Sequence, residues 1–285
     1  MRVLVTGAAG QLGLAIVDAL SGAHEVVSTS VEELDIRDDR AVRSFVESTR
    51  PGAIVNCAAY TDVDGSEDHP VESLEVNAFA VRSLAAAAAR VGAALVHYST
   101  DFVFDGEADR PYVEEDAPNP RSTYACSKLI GEWFAAETPR HYVLRVESLF
   151  GAVPAPGEAR RTSVDRIVDA ILEGRPARVF VDRTVSPSYT LDVAAVTRGL
   201  LEGGAAPGLY HCVNSGACTW AELGREVGRQ LGTEPQLVAV PMADAGLRAS
   251  RPRYCVLSNA RLQAAGFPMR TWQDALAHYL SSRLT

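Results

Sequence analysis

Tyr124 and Lys128 are the residues of this sequence whose types and spacing most directly admit chemistry. Four positions apart in a helix, they stand one above the other on the same face. A lysine ammonium so placed lowers the pKa of a neighbouring phenol by favouring the phenolate. A phenol tuned this way gives a proton to a carbonyl being reduced, or takes one from an alcohol being oxidised. Tyr-x-x-x-Lys also occurs on ordinary helix surfaces, so the elements that position the pair decide what it means.

Those elements read as strands alternating with helices. Residues 2–6 form a short buried strand, and Gly7-Ala8-Ala9-Gly10-Gln11-Leu12-Gly13 follows, leading into the apolar positions Leu14, Ile16, Val17 and Leu20. Strand, glycine-rich turn and helix in that order make a phosphate site, because glycines let the backbone approach a pyrophosphate and the helix start offers free N–H groups. The spacing is Gly-x-x-Gly-x-x-Gly rather than Gly-x-Gly-x-x-Gly, and the competing reading is a plain tight turn. A second strand, 24–29, ends in Ser28-Thr29-Ser30, with Glu32, Glu33 and Arg37 beyond. Small hydroxyls without a well-placed acid lean weakly towards NADPH over NADH; the same residues also suit a solvated turn.

Asp35-Ile36 precedes a helix that Asp38 can cap, running to about residue 49. Pro51-Gly52 breaks the chain before a strand at 53–57 and the turn Ala58-Ala59-Tyr60. Pro70 opens a long helix through the alanine-rich run 85–89, and strands follow at 93–99 and 142–146. This rhythm predicts an α/β fold, a doubly wound parallel sheet covered on both faces. Ligands of such sheets sit beyond the carboxyl ends of the strands. Thr100 lies just past one end, and the run 116–120, with Pro118 and Pro120, stops any helix before Arg121. Thr100, Tyr124 and Lys128 therefore converge over the glycine turn.

The 285 residues are 47% hydrophobic and 22% charged, which suits a soluble globular protein with a full core. No signal-like start or membrane-length apolar stretch is present, and Cys57, Cys126, Cys212, Cys218 and Cys255 form no Cys-x-x-Cys pair. A cytoplasmic protein with reduced thiols and no zinc site is expected. A net charge of −9 without a basic stripe disfavours nucleic acid.

The chain resembles the extended short-chain dehydrogenase/reductases, and within them the dTDP-4-dehydrorhamnose reductase branch. The resemblance rests on 7–13, on Asn-Cys-Ala-Ala-Tyr-Thr-Asp-Val-Asp at 56–64, on His-Tyr-Ser-Thr-Asp-Phe-Val-Phe-Asp-Gly at 97–106, on 124–128 and on Ser186-Pro187-Ser188-Tyr189. Gly208-Leu209-Tyr210-His211, Thr219-Trp220 and Ser250-Arg251-Pro252 fit the same branch, so essentially the whole chain is covered. It implies a nicotinamide cofactor, a sugar-nucleotide substrate and Thr100, Tyr124 and Lys128 as catalytic residues. It places Gly7, Gly10, Gln11, Leu12, Gly13, Asp35, Ile36, Ala58, Ala59 and Tyr60, with Tyr124 and Lys128, at the cofactor. Thr100, Phe102, Val103 and Ser148 fall on the substrate side.

Arg251 can meet a substrate pyrophosphate bidentately, or be an ordinary surface arginine. Asn77 is expected to satisfy backbone groups beside the cofactor, Cys126 to be a small helix residue and His97 to be structural. The family pattern divides the chain into a dinucleotide-binding domain, 1–148 and 185–215, and a smaller substrate lobe, 149–184 and 216–285. In the later part a loop is expected at 151–157, helices at 162–173, 191–201, 220–231, 259–265 and 272–280, and strands at 178–181 and 209–213.

Departures from the family narrow the expectation. Related 4,6-dehydratases place an Asp-Glu pair after the threonine; here Asp101 is followed by Phe102, which disfavours elimination of water. The branch usually carries Arg-Thr-Ser-Trp where this chain has Arg145-Val146-Glu147-Ser148, so the sugar pocket is reshaped. Ala15 and Leu191 stand where some members hold magnesium with glutamates, and a monomer or homodimer without a magnesium bridge is expected. The competing functions are a sugar-nucleotide 4-epimerase with retained NAD, and a non-catalytic regulatory subunit like that of methionine adenosyltransferase.

Overall fold

Val3 and Val5 point to one side of the first strand and Leu4 to the other, and all three are fully buried. A strand apolar on both faces needs cover on both. The computed structural model describes residues 1–151, 162–203 and 205–284. Its first half runs β1 (Arg2–Thr6), α1 (Gln11–Ser21), β2 (Glu25–Thr29), α2 (Asp39–Thr49), β3 (Ala53–Asn56), α3 (Gly65–Asp68), α4 (Pro70–Leu74), α5 (Ala80–Val91), β4 (Ala94–Thr100), α6 (Thr123–Ala136) and β5 (His141–Val146). Then come β6 (Leu149–Phe150), α7 (Ser163–Leu172), β7 (Ala177–Phe180), β8 (Thr184–Val185), β9 (Ser188–Tyr189), α8 (Thr190–Leu201) and β10 (Gly208–His211). The chain continues through β11 (Cys218–Thr219), α9 (Trp220–Leu231), β12 (Leu237–Val240), α10 (Ala260–Ala264) and α11 (Trp272–Leu284).

The main sheet has six strands in the order β10-β5-β4-β3-β1-β2, parallel at every pairing. Val3, Val5, Val55, Val96 and Leu144 pack under α1 and α8, with Ile16, Leu20, Val193 and Leu200. The alternate residues Leu4, Ile54, Leu95 and Val143 pack on the opposite side against α2 and α5, with Val42, Val46, Val81 and Leu84. Period-two alternation into two cores is what a doubly wound sheet requires, and the expected fold class is the observed one. The order reverses between β1 and β3, so the crevice for a ligand opens beyond their carboxyl ends.

Local chemistry explains the helix boundaries. Asp38 caps α2, accepting from the N–H groups of Arg40 and Ala41 at 2.9 and 3.0 Å. Arg50 ends that helix in the left-handed region at φ 44°. The helix expected to run unbroken from Pro70 instead passes through one π turn, Glu75–Phe79. Asn77 within it bonds Tyr60 N and Tyr60 O at 2.9 and 3.0 Å, and Ser127 Oγ at 3.0 Å. The wider turn carries an inward amide that ties the 58–60 turn to α6, as π turns at functional sites do.

A second core gathers Phe150, Val164, Ile167 and Val168 with Val179, Trp220, Leu223, Trp272 and Tyr279. It is served by a parallel pair, β7 with β12, of which β12 was not expected. Leu262 and Met269 lie in the sheet's core instead. Apart from Gly151, the loop expected at 151–157 lies outside the described residues. No helix among the described residues is long and apolar enough to cross a membrane.

Candidate active site

The glycine turn sits at the reversal of the sheet. Gly7 has φ 66°, and a Cβ there would stand 2.5 Å from Ala58 N. A Cβ on Gly13 would stand 2.3 Å from Gly7 O. Only glycine lets this turn fold back onto α1 while the 58–60 turn closes beside it. The turn opens into a cleft of about 570 Å³. From the cofactor side it is lined by Gly10, Gln11, Leu12, Gly13 and Ala59; beyond them come Thr100, Asp101, Phe102, Tyr124, Lys128 and Ser148.

Ser122 caps α6 by accepting from Ala125 N at 3.3 Å, so Tyr124 lies in the first turn and Lys128 in the next. The phenol of Tyr124 and the Thr100 hydroxyl both line the cleft. Burial, and next the charge of Asp101, push the phenol's pKa up, while the Thr100 hydroxyl opposes them. Burial pulls Lys128 down to about 8, against the charge of Glu132. Its Nζ donates to the Tyr98 carbonyl at 2.5 Å. The expected depression of the phenol by the ammonium is therefore not the dominant balance: burial and the charge of Asp101 hold Tyr124 protonated, the form that donates. Phe102 stands edge-on to it at 5.7 Å.

One turn further along α6, Glu132 fixes the helix to the sheet. It accepts from Arg145 Nε and Nη2 at 2.8 Å each, and from Ser99 Oγ at 2.5 Å. Glu132 and Arg145 are both buried, and a fork-to-fork pair sets angle as well as distance. Nothing in the sequence spacing announced this pair.

The remaining candidates divide. Ser148 lines the cleft and is one of two non-glycine residues at positive φ among those described, at 44°. Val103 does not face ligand space: it is fully buried with Phe104, Leu129 and Val213, because the turn of 3-10 helix at Asp101–Val103 rotates it inward. Ile36 likewise has its side chain in the core beside Leu34 and Val42. Asp35 is engaged by Arg37, Nε at 2.9 Å and Nη2 at 2.7 Å. Tyr60 lies beside the cleft through the backbone bonds to Asn77. His97 is buried in β4 with Nδ1 3.3 Å from Asn56 Nδ2, a core position.

Arg251 is also absent from the cleft lining. Its Nη1 and Nη2 bind Asp64 Oδ1 and Oδ2 at 2.8 and 3.0 Å, and Asp64 accepts in addition from the N–H groups of Arg248 and Ala249. A neighbouring pair joins Arg248 to Asp68. These bonds latch the 248–251 segment onto the loop that carries Val63 into the cleft. Arg251, with the backbone donors, holds the Asp64 carboxyl at about 2. A depressed carboxyl contributes stability above its ordinary value near 4, lost as pH falls through the folded value. The stability difference between wild type and Asp64→Asn in urea titrations is expected to shrink from about pH 4 down to about 2.

Ser163 and Trp220 are among the lining residues that lacked a functional assignment from sequence. Both begin helices behind capping boxes, Thr162 with Asp165 and Thr219 with Glu222. The Thr-x-x-Asp and Thr-x-x-Glu spacings were the available signal.

A family model described as the RmlD substrate binding domain matches residues 1–284. The chain belongs to this family. Among RmlD-family relatives, a dTDP-4-dehydrorhamnose reductase of Streptomyces griseus is 39% identical over 284 residues, 96% of this chain and 91% of that protein. The crystal structure of a dTDP-4-dehydrorhamnose reductase from Clostridium acetobutylicum matches with TM-score 0.91 and 34% identity, covering 100% of both chains. A dTDP-4-dehydrorhamnose reductase from Bacillus anthracis, solved in complex with NADP, matches with TM-score 0.91 and 30% identity over 99% of each chain.

Proposed function

We propose that this RmlD-family chain reduces the C4 carbonyl of a nucleotide-linked 4-keto-6-deoxy sugar, dTDP-4-dehydrorhamnose or a related deoxysugar, using NADPH or NADH. The observation that carries the reading is the convergence of Thr100, Tyr124 and Lys128 on the same cleft as the glycine turn. The names of the relatives and the NADP bound by one of them support the same reading. The turn fits a pyrophosphate because the space a Cβ would fill at Gly7 and Gly13 is taken by backbone. Bound there, a reduced nicotinamide supplies hydride. NADPH is the favoured form, since Asp35 is engaged by Arg37 and Glu33 Oε2 accepts from Ser30 N at 2.8 Å.

Tyr124 holds the proton that the new alkoxide needs, and Thr100 orients the carbonyl oxygen towards it. Lys128 supplies positive charge beside the cofactor ribose and the phenol. Its value near 8 predicts that kcat/KM falls as pH rises through about 8, because the ammonium loses its proton there. On the sugar side the indole of Trp220 lines the cleft, and its N–H has no partner among the described residues. With Ser148 opposite, it is a candidate ring for the sugar or its nucleotide. The lobe that covers them is best drawn at 149–184 and 216–285, with 260–269 given to the cofactor half. Five free cysteines fit a reducing, cytoplasmic setting.

The test is isotopic. With NADPH deuterated at the transferable nicotinamide position, the label is expected at C4 of the product sugar. Unlabelled product, or product formed without oxidation of the cofactor, contradicts the reading.

A further inference from the structure

The strand that delivers Trp220 to the sugar side of the cleft is tied to the wall carrying Thr100 by a buried arginine that the reduction described above does not use. β11 ends at Thr219, immediately before Trp220, and pairs with β8 through Cys218 with Val185 and Thr219 with Thr184. Arg183 directly precedes β8 and is buried. On the other side Thr184 donates its N–H to Arg253 O and accepts from Cys255 N, both at 2.9 Å. From this anchored backbone the guanidinium reaches the end of β4. Nη2 lies 3.4 Å from Asp101 Oδ2, Nε and Nη2 each lie 3.4 Å from the Cys255 sulfur, and Cζ stands 5.0 Å from the centre of the Phe102 ring. The Cys255 thiol in turn donates to Pro252 O at 3.3 Å.

Asp101 is the residue on which this arginine bears. Its Oδ1 accepts from Thr100 Oγ1 at 3.0 Å, and Thr100 Oγ1 accepts from Phe102 N at 3.3 Å. A threonine hydroxyl has one proton to donate, and in this site it goes to Asp101. To orient a substrate carbonyl, the hydroxyl must turn to the carbonyl oxygen, and the buried carboxylate then loses a donor. A buried carboxylate left without a partner is costly. The contact with Arg183 Nη2 does not depend on Thr100 and persists when the hydroxyl turns. Glu147 brings a second buried acid, with an oxygen within 4.8 Å of Asp101 and Cys255, and accepts from Ser186 N at 2.5 Å. Arg183 therefore supplies the positive charge that this acidic corner needs.

Resting on the reductase reading, we propose that Arg183 is a positioning residue for the reduction: it holds Asp101 while the Thr100 hydroxyl turns from that carboxylate to the C4 carbonyl oxygen of the sugar. Tyr124 alone gives up a proton, which goes to the product oxygen. The Thr100 hydroxyl keeps its own proton throughout and only changes the oxygen it points to. Arg183 is not among the residues that line the cleft, so it acts through Asp101 and touches neither sugar nor cofactor. Because its backbone is fixed through β8 to β11, and so to Trp220, the same contact keeps the sugar side of the cleft in register with Thr100. Register matters at this scale, since a misplacement of about 1 Å costs on the order of 10²-fold in rate.

The test measures single-turnover reduction of dTDP-4-dehydrorhamnose by NADPH on the full chain. Arg183→Gln removes the charge beside Asp101 and is expected to slow the reduction on the order of ten- to a hundredfold, with KM for the sugar and NADPH affinity unchanged. Asp101→Asn replaces the carboxylate by an amide that needs no counter-charge, so adding Arg183→Gln to it should cost nothing further. The double variant leaves no unpaired charge at position 101, which keeps that comparison available if Arg183→Gln alone folds poorly. Arg183→Lys retains the charge without the planar fork and should recover part of the rate. A wild-type rate in Arg183→Gln, a loss confined to the sugar KM, or a double variant slower than Asp101→Asn overturns the positioning role. The reductase reading is checked by the wild type: if it does not oxidise NADPH with this sugar, both claims fall. A wild type that reduces the sugar beside an unaffected Arg183→Gln sinks the positioning role alone.

Discussion

Tyr124→Phe is expected to lower kcat by about 10²–10⁴-fold, the usual worth of a positioned general acid, while leaving NADPH affinity near the wild-type value. The substitution deletes one hydroxyl and keeps the ring that packs edge-on to Phe102, so neither α6 nor the glycine turn is disturbed. The phenol is held protonated by burial and by the charge of Asp101. Without it, an alkoxide forming at C4 meets only the Thr100 hydroxyl, whose own proton is bound far more tightly than that of a phenol. Stopped-flow reduction rates, set against NADPH binding followed by fluorescence, read the two effects separately. Loss of both together would place Tyr124 in cofactor binding.

Glu132→Gln is expected to destabilise the fold by about 3–5 kcal/mol, the cost of stranding a buried guanidinium. Arg145 loses the oxygens that hold Nε and Nη2 at 2.8 Å, and its remaining neighbours are the face of Phe104 and His211. Because Glu132 is also the charge that supports the Lys128 ammonium, the alkaline limb of kcat/KM should move below pH 8 in the same variant. Urea unfolding gives the first effect and a pH–rate profile the second. Replacing Glu132 and Arg145 together by leucine should recover most of the stability, since a well-packed apolar pair is often no worse than the ion pair it replaces. A single variant as stable as wild type would show that the pair does not anchor α6.

The backbone of the site was legible because its signals are local. Three glycines at fixed spacing after an apolar strand, Asp38 ahead of α2, and a tyrosine and lysine one turn apart each declare their geometry within a few residues. The residues that tune those groups were not legible, because they come from distant strands. Glu132 meets Arg145 across α6 and β5, and Asp101 meets Glu147 and Arg183 from separate segments; no spacing rule encodes either meeting. Val103 and Ile36 show that neighbourhood in sequence does not fix where a side chain points. Each neighbours site residues in sequence, but helical rotation in one case and core packing in the other turn the side chain inward. Arg251 was a reasonable phosphate ligand by chemistry alone, and only the fold reveals that Asp64 already satisfies its guanidinium. Trp220 is the converse: a core-type residue by composition that the start of α9 delivers to the cleft.

The central claim is most directly tested by following NADPH and NADH absorbance while the purified chain is given dTDP-4-dehydrorhamnose. The account predicts stoichiometric oxidation of the cofactor with formation of the C4 alcohol, faster with NADPH. Cofactor that binds without turnover, or sugar interconversion on retained NAD without net oxidation, would contradict it.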